Sequence, residues 1–288
     1  MPARVIDLHT HSTASDGTTP PDVLVREARE QGLDVLALTD HDTTGGWAAA
    51  ERALPDGLAL VRGAEVSCVR DGISLHLLAY LFDPDEPALA EALRALRESR
   101  VGRAERMARL LEADGTGVTW ARVQELAGGT VGRPHVAQAI VEQGHVVDVS
   151  AAFTPDWIGT GGRYYVSKLE LDVLDAVELV VGAGGVPVFA HPCATARGRT
   201  VSDDVIAEMA AAGLVGLEVD HVDHDEAARA HLTGLAAELG LLTTGSSDFH
   251  GANKAVRLGE HTTSEAAYEQ LLAAASGATP VLGSDPCR

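Results

Sequence analysis

The sequence predicts an α/β fold built around a parallel sheet, open or closed into a barrel, with a mainly helical insertion. Short apolar runs alternate with helix-like segments along most of the chain, a pattern typical of parallel sheets. Histidines and carboxylates directly follow several of these runs, as expected of a barrel, which gathers its functional residues at the carboxyl ends of its strands. Between residues 86 and 170 strand-like runs nearly vanish, which predicts that this stretch covers one mouth of the barrel.

Strand and helix signals alternate in the first part of the chain. Apolar runs predict strands at 5–8, 35–38 and 58–61. Helix-start and helix-stop residues predict helices between them, at 23–30 and 46–54. The pair Asp71-Gly72 predicts a hairpin turn that leads into a strand at 73–80.

Helical patterns dominate the middle of the chain, and alternation resumes after it. The insertion is predicted to hold helices at 89–111, 120–126 and 134–142. The later strands are predicted at 186–190, 215–219 and 241–245, and the later helices at 171–181, 203–212, 225–239 and 264–275. We therefore expect a barrel domain formed by residues 1–85 and 171–288, and a helical insertion at residues 86–170.

Length and charge limit the classes of protein to consider. At 288 residues the chain is long enough for one barrel-type domain or two smaller domains. Its formal net charge of −20 disfavours a protein that coats long duplex nucleic acid or binds an anionic membrane, because both partners favour a basic surface. A small phosphorylated substrate in a locally basic or metal-filled pocket remains compatible with this charge. We find no indication of an obligate protein partner.

The cysteines and the first residues predict a cytoplasmic protein. Cys68, Cys193 and Cys287 show no ligand-like spacing, and such a sparse, odd set is typical of reduced thiols. The first apolar run follows Met1 almost at once, so we expect no signal peptide. No apolar run approaches the roughly 20 residues of a membrane span.

The segment DLHTHSTASDG, residues 7–17, contains the first candidate metal ligands. Side chains at positions i and i+2 of a strand point the same way, so His9 and His11 can present ring nitrogens to one point. Asp16 follows within reach. Two imidazoles and a carboxylate at the end of a strand can begin a metal site, although polar residues on the wet face of a strand are the alternative.

The remaining histidines and carboxylates favour the metal site. Seven candidates lie at the ends of five apolar runs, and one barrel mouth would gather them: His9, His11, His41, Glu65, His191, Asp248 and His250. Asp248 and His250 repeat the i, i+2 spacing of the first pair. His76 lies inside ISLHLLAY, where a lone histidine is more often a core residue. Because the other seven converge, we interpret His76 as a ligand too.

These motifs together resemble one family. DLHTHSTASDG, TDHD, the glutamate after the third strand, the histidine of SLHLL, AHP and SDFH resemble the PHP (polymerase and histidinol phosphatase) family, from Asp7 to His250. Motif order and insertion resemble its small bacterial phosphoesterases of the YciV/TrpH type, which act on nucleoside 3′,5′-bisphosphates and on short RNA 5′ ends. The resemblance implies a distorted (β/α)7 TIM-like barrel.

The resemblance also implies two or three divalent metal ions. The nine-ligand pattern of the family carries over with no position missing, onto His9, His11, Asp16, His41, Glu65, His76, His191, Asp248 and His250. By that resemblance Glu65 bridges two metals. The implied groups are His9, His11, Glu65 and Asp248; Glu65, His76 and His191; and Asp16, His41 and His250. Imidazoles and carboxylates without a thiolate suit Mn, Fe, Zn or Co.

Such a site predicts phosphate ester hydrolysis. Metals about 3.5–4 Å apart can hold a bridging hydroxide that attacks phosphorus in line, while they neutralise charge on the phosphoryl oxygens. No side-chain nucleophile is required, and we expect Cys193 to pack rather than react. Glu65 and His191 are the ligands expected to act in catalysis. Asp40 is expected to orient a ligand or the end of its strand.

The predicted reaction is removal of the 3′-phosphate from a nucleoside 3′,5′-bisphosphate. The partner would thus be a small phosphorylated nucleotide or a short oligonucleotide. One alternative is a 5′-3′ exoribonuclease acting on short 5′-phosphorylated RNA. Histidinol-phosphate phosphatase is another, although the insertion and its GRPH segment argue against it. A metal-stabilised module without catalysis is the alternative outside enzymes, and an incomplete ligand set would have favoured it.

Residues of the insertion and of two later loops are predicted to contact substrate. Arg133 and His135 belong to GRPH at a helix start, where free amides help to bind phosphate. Lys168 ends a stretch YVSK that resembles the YVPK of the subfamily. Arg197 follows AHP, and His221 follows a strand; each could reach the pocket or lie in a solvated loop.

Arginine recurs at every third position of the long predicted helix, from Arg94 to Arg109. At 100° per residue each step falls back about 60° around the axis, so the arginines do not form one stripe. Adjacent pairs could still offer local phosphate clamps, but because the rest of the chain is strongly acidic, we expect most of these arginines to be solvated.

Overall fold

Strands and helices alternate as the sequence predicts. The computed structural model describes residues 3–127 and 131–283, without the side chain of Arg197. Its first half contains β1 (Ile6–Thr10), α1 (Pro21–Glu30), β2 (Val35–Leu38), α2 (Trp47–Arg52), β3 (Ala59–Arg70), β4 (Ile73–Tyr80), α3 (Pro87–Ala113), α4 (Trp120–Ala127) and α5 (Arg133–Glu142). Its second half contains β5 (Leu171–Asp172), α6 (Val173–Gly182), β6 (Val186–Phe189), α7 (Asp203–Ala212), β7 (Gly216–Asp220), α8 (Glu226–Leu239), β8 (Leu242–Gly245), α9 (Glu265–Ala274) and β9 (Val281–Leu282).

The predicted barrel is confirmed, and β4 runs antiparallel to the strands on both sides of it. In the described residues the sheet runs in the order β1-β2-β3-β4-β6-β7-β8. Neighbours among β1, β2 and β3 are parallel, as are neighbours among β6, β7 and β8. Strand β4 is antiparallel to both β3 and β6. A parallel bridge between Thr10 and Phe249 brings the two ends of the sheet together.

Strand β3 is much longer than the sequence pattern indicated. It spans 12 residues, whereas the apolar run ended at Val61. The strand continues because its first half pairs with β2 and its second half pairs with β4. Asp71 and Gly72 form the predicted hairpin turn with φ angles of 51° and 67°. Polar residues within β3 therefore do not mark its end, and Glu65 lies inside the strand.

Alternating strand residues build two apolar layers. Leu36, Leu38 and Leu60 pack toward the surrounding helices. The alternate residues Val35 and Ala37 belong to a separate cluster that also holds Tyr268 of α9. This arrangement buries both faces of the parallel strands, which explains their continuous apolar runs.

The helices between residues 86 and 170 have an apolar core of their own. Leu111 of α3 clusters there with Val123 of α4 and Val136 of α5. The boundaries predicted for an insertion at 86–170 stay a prediction. Among the described helices, none is both long and apolar enough to cross a membrane.

Two of the six periodic arginines of α3 are buried, and the other four are exposed or half-buried, in line with the expectation that most arginines of this helix are solvated. Arg94 and Arg109 form exposed pairs with glutamates of the same helix. Arg100 and Arg103, in contrast, are 5% and 3% exposed. Arg100 donates to Asp42 Oδ2 from Nε (3.1 Å) and Nη2 (2.8 Å). This buried ion pair joins α3 to the loop after β2.

Replacing Arg100 with Met is expected to lower the free energy of unfolding by about 3–5 kcal/mol, because Asp42 would stay buried without its cation. Urea unfolding of the metal-free protein measures the effect. Arg109→Met removes an exposed pair of the same helix and serves as the control, with an expected change below about 0.5 kcal/mol. Equal losses in the two variants would show that the buried pair does not anchor α3.

Candidate metal centre

The barrel gathers the nine predicted ligands at one mouth. His9 and His11 come from the end of β1, His41 follows β2, and His191 follows β6. Asp248 and His250 follow β8. Glu65 lies within β3, opposite His41 in an isolated parallel bridge. His76 reaches the same mouth from an early position of β4, because that strand runs antiparallel to its neighbours and pairs His76 with Ser67.

Strained backbone turns the chain at three of these strand ends. Asp42, His191 and Asp248 have φ angles of 55°, 33° and 53°. The left-handed region costs a non-glycine residue about 1–2 kcal/mol, and such strain persists where the surroundings fix it. Asp42 is fixed by the N–H of Ser67, which donates to its Oδ1 (2.7 Å). These turns place side chains of neighbouring strands in contact.

Glu65 lies at the centre of the cluster. Its side chain is 1% exposed. The Oε2 atom lies 3.0–3.2 Å from ring nitrogens of His9, His11 and His41. The Oε1 atom lies 2.7 Å and 3.1 Å from ring nitrogens of His76 and His191. Each oxygen therefore faces a different set of imidazoles, as a bridging carboxylate requires.

Two further carboxylates complete the cluster. Asp248 Oδ1 lies 3.3–3.5 Å from ring nitrogens of His9, His11 and His250. Asp16 lies 3.5–3.8 Å from ring nitrogens of His11, His41 and His250. Ligand atoms that could hold a metal ion lie within 4.8 Å of one another in three sets: His9, His11 and Asp248; His41, Glu65 and His76; and His11, Asp16, His41 and His250. These sets overlap extensively with the groups implied by the resemblance.

The donor atoms fit divalent cations. Nε2 of His9 and Nε2 of His11 lie 3.0 Å apart and are buried, an unfavourable arrangement for two lone pairs unless a cation or a proton lies between them. Among the described residues, buried Glu65 Oε2, His41 Nδ1 and His76 Nδ1 have no hydrogen-bond partner. Imidazole and carboxylate donors without a thiolate suit Mn, Fe or Zn.

Burial and charge keep Glu65 and His250 in the form that binds metal. Burial raises the pKa of Glu65, but the imidazoles of His41, His76 and His9 together hold it well below the ordinary value. Burial, followed by the Lys254 ammonium, lowers the pKa of His250 to about 4. A deprotonated carboxylate and a neutral imidazole are the forms that ligate metal. For His9 and His11, burial is outweighed by the surrounding carboxylates, which raise the pKa of both imidazoles, so metal binding there displaces a proton.

Comparison with known proteins identifies the family. Residues 7–116 match the PHP domain. Over 264 residues the chain is 36% identical to a 3′,5′-nucleoside bisphosphate phosphatase of Chromobacterium violaceum, covering 89% of this chain and 91% of that protein. The chain belongs to the PHP family. The resemblance inferred from the motifs is thereby confirmed.

Two other proteins match nearly the whole chain. A 5′-3′ exoribonuclease of Haemophilus influenzae is 34% identical over 257 residues, covering 88% of this chain and 93% of that protein. A crystal structure of a metal-dependent phosphoesterase from Bifidobacterium adolescentis superimposes with a TM-score of 0.88 at 35% identity, covering 99% of both chains.

Asp40 supports the PHP motif around His11 and Asp16. It is buried and accepts hydrogen bonds from Ser12 N (2.8 Å), Ser12 Oγ (2.7 Å) and Ser15 Oγ (2.6 Å). It therefore fixes the loop that joins the two predicted ligands.

The predicted substrate residues of the insertion lie in different surroundings. Arg133 is half-buried, with its guanidinium 5.0 Å from the ring centre of Phe153. His135 is buried and accepts the N–H of Gly132 at Nδ1 (3.0 Å), so it caps its own helix. Lys168 Nζ is buried 3.5 Å from Glu170 and has no hydrogen-bond partner among the described residues.

Two of the predicted substrate residues, Arg197 and His221, lie outside the insertion. The side chain of Arg197 lies outside the described part of the structure. His221 is fully buried, and its Nε2 lies 3.3 Å from Asp248 Oδ2. Its Nδ1 accepts the N–H of Asp223 (3.0 Å), so Nε2 carries the proton and donates to Asp248. This geometry favours a role in holding Asp248 over the predicted substrate contact.

Sequence reasoning did not single out three charged residues that the structure brings to attention. Arg103 is buried on α3, and its Nε lacks a hydrogen-bond partner in the described structure. Lys254 forms an ion pair with Asp248 Oδ2. Glu218 is fully buried in β7 and hydrogen-bonds His9. Glu218 could have been noticed in the sequence, because it is a charged residue between two apolar ones, in LEV at 217–219.

Proposed function

We propose that this chain is a metal-dependent phosphoesterase that removes the 3′-phosphate of nucleoside 3′,5′-bisphosphates, giving a 5′-nucleotide and phosphate. The observation that carries the proposal is a buried to half-buried cationic group beside the histidine and carboxylate cluster. The group consists of Arg103, Arg133 and Lys168, and we call it the cationic pocket. The relative from Chromobacterium violaceum, named for this reaction, supports the choice of substrate.

Buried donors that lack a hydrogen-bond partner in the described structure, Arg103 Nε and Lys168 Nζ, favour an anionic ligand in the cationic pocket, in addition to the 3.5 Å ion pair of Lys168 with Glu170. Burial and the neighbouring Arg133 lower the pKa of Arg103 to about 9. Burial also lowers the pKa of Arg133, and that of Lys168 to about 8. A charge buried without a partner is costly, and a phosphate group would supply several acceptor oxygens to these donors. The pocket therefore suits the phosphate that is not hydrolysed.

The cationic pocket adjoins the predicted metal ligands through Asp42. Burial raises the pKa of Asp42, but the Arg100 guanidinium and the Lys168 ammonium hold it well below its ordinary value. Asp42 follows His41 directly in the chain. A bisphosphate has two phosphates separated by a ribose, so it can present one to each site. Under this proposal residues 86–170 contribute the cationic pocket and cap the barrel mouth.

The nine predicted ligands would hold two or three divalent ions, with Glu65 shared between two of them. Bound ions supply Lewis acidity for a phosphoryl group and activate water for hydrolysis. The chain itself orients the donors: Asp40 fixes the loop of His11 and Asp16, and His221 holds Asp248. Arg103, Arg133 and Lys168 would bind the other phosphate.

The lowered pKa of Lys168 predicts a pH effect on substrate binding. As pH rises through about 8, the Lys168 ammonium loses its proton and thereby a positive charge for phosphate. We expect kcat/KM for the bisphosphate to fall above this pH, by up to about tenfold per pH unit. Lys168→Arg should keep its charge throughout this range and abolish that fall. An identical pH profile in both proteins would exclude Lys168 as the titrating group.

A 5′-3′ exoribonuclease is the second candidate, supported by the relative from Haemophilus influenzae. Both activities require a phosphate-binding pocket beside the metal ligands, so the cationic pocket does not separate them. Their products do, because an exonuclease shortens a 5′-phosphorylated RNA oligomer one nucleotide at a time.

Steady-state kinetics with Mn²⁺ test the proposed function. The substrates are adenosine 3′,5′-bisphosphate, histidinol phosphate and a 5′-phosphorylated RNA oligomer. We expect kcat/KM for the bisphosphate to exceed that for histidinol phosphate by about a hundredfold, because only the bisphosphate fills the cationic pocket. Turnover mainly of the oligomer would favour the exonuclease. No turnover of any of the three by metal-loaded protein would refute phosphoester hydrolysis as proposed.

A further inference from the structure

Glu218 is a buried carboxylate in the middle of β7 that contacts three other strands or strand ends. Its side chain is 0% exposed. The Oε1 atom accepts hydrogen bonds from His9 Nδ1 (3.0 Å) and from Ser246 Oγ, and Oε2 accepts the backbone N–H of His191 (2.8 Å). One carboxylate thus joins the strand of His9, the turn after β6 and the segment after β8.

The contact with His9 determines which ring nitrogen is available to a metal. A carboxylate can only accept hydrogen bonds, so Nδ1 of His9 carries a proton, and in the neutral ring that ligates metal Nε2 keeps its lone pair. Nε2 lies 3.0 Å from His11 Nε2 and 3.2 Å from Glu65 Oε2, inside the ligand cluster. The opposite tautomer would direct an N–H into this cluster. Carboxylate partners of this kind commonly orient metal-ligating histidines.

The contact with His191 supports a strained backbone. His191 has a φ angle of 33°, and its N–H donates to Glu218 Oε2. The imidazole of the same residue reaches Glu65 Oε1 with Nε2 (3.1 Å). A hydrogen bond that fixes the left-handed turn therefore also fixes the direction in which the His191 ring points.

We propose that Glu218 is a positioning residue of the metal centre, which selects the tautomer of His9 and holds the turn of His191 so that both rings face Glu65. The inference rests on the proposed function only in so far as the cluster binds divalent metal. Ser246, which donates to the same oxygen as His9, contributes to the same arrangement.

Glu218→Gln tests this role with little change in volume. Glutamine offers one acceptor and one amide donor, so it cannot accept from both His9 and His191. If its oxygen faces His191, its amide donates to His9 Nδ1 and directs an N–H from Nε2 into the cluster. We expect Co²⁺ titrations to give a dissociation constant raised by about 10–100-fold, with an altered visible absorption spectrum of the bound ion.

Thr263→Val is the matched control for a purely structural effect. The Thr263 hydroxyl accepts from Gly245 N (3.0 Å) and donates to Gly245 O (2.8 Å), at the end of β8. The side chain is buried, and these two hydrogen bonds of its hydroxyl involve none of the nine predicted ligands. This variant should unfold at a lower temperature and bind Co²⁺ with unchanged affinity and spectrum.

Unchanged Co²⁺ affinity and spectrum in folded Glu218→Gln would overturn the proposal. Should that variant fail to fold, Ser246→Ala removes one donor from the same oxygen and is expected to weaken Co²⁺ binding by about two- to tenfold; no change there would equally overturn it. Failure of the proposed function is distinguishable, because a wild-type protein that binds Co²⁺ without hydrolysing phosphate esters leaves these measurements interpretable.

Discussion

Replacing Glu65 with glutamine is expected to reduce kcat for the bisphosphate by at least about a thousandfold, equivalent to roughly 4 kcal/mol of transition-state stabilisation. Both carboxylate oxygens face imidazoles, on two sides of the cluster. A glutamine keeps the shape of the side chain but loses its negative charge. Its amide would also direct N–H groups toward imidazole nitrogens whose lone pairs must be free to bind cations. The change therefore affects the two ions that would share this residue.

The measurement is kcat with excess Mn²⁺, together with the metal content of the purified protein. Glu98→Gln is the matched control, since the Glu98 side chain is 63% exposed on α3 and forms an exposed ion pair with Arg94. It should retain wild-type activity and metal content. Activity of Glu65→Gln within about tenfold of wild type, at full metal occupancy, would contradict the bridging role.

Replacing Arg103 with methionine is expected to change stability and activity in opposite directions. Arg103 is 3% exposed, and burial lowers its pKa to about 9. Removal of an unpaired buried charge should raise the free energy of unfolding by about 1–3 kcal/mol. Loss of a phosphate contact should reduce kcat/KM by about a hundredfold to a thousandfold, mainly through a higher KM.

Urea unfolding without substrate and steady-state kinetics measure the two effects. Arg109→Met provides the control on the same helix, because Arg109 is 65% exposed and pairs with Glu105. Neither its stability nor its kcat/KM should change appreciably. An Arg103→Met protein that is less stable and binds substrate normally would show that Arg103 is a structural residue. The contrast with Arg100→Met, which breaks a satisfied pair, separates the two buried arginines.

The barrel and its ligand cluster were predictable because both follow local patterns. Apolar runs marked the strands, and ligands at their ends had to meet once the strands formed a barrel. Two histidines at i and i+2 in β1 needed no tertiary information to share a face. The length of β3 was not predictable in this way, because its second half is determined by pairing with a distant strand, and Arg62 and Glu65 interrupt the apolar run.

The cationic pocket was only partly predictable. Arg133 and Lys168 were expected to contact phosphate, whereas Arg103 was grouped with the solvated arginines. The buried face of α3 continues from Leu93 and Leu96 through Arg100 and Arg103 to Met107. Following this stripe past its apolar residues would have indicated that two arginines point inward. The charge of these arginines alone favours exposure to solvent. Only tertiary packing determines whether their side chains point inward or outward.

The histidines outside the ligand set show a further limit of sequence reasoning. His135 and His221 were predicted to contact substrate from their positions at a helix start and a strand end. In the structure His135 caps its helix and His221 donates to Asp248. Several roles are compatible with a histidine in such a position, and hydrogen-bond geometry distinguishes them.

Product analysis after turnover of adenosine 3′,5′-bisphosphate tests the central claim most directly. Ion-exchange chromatography separates adenosine 5′-phosphate from adenosine 3′-phosphate, and released phosphate is quantified in the same samples. We expect adenosine 5′-phosphate and phosphate in equal amounts, with turnover lost after chelation and restored by Mn²⁺. Adenosine 3′-phosphate as the product, or unchanged turnover after complete removal of metal, would contradict a metal-dependent reaction at the 3′-phosphate.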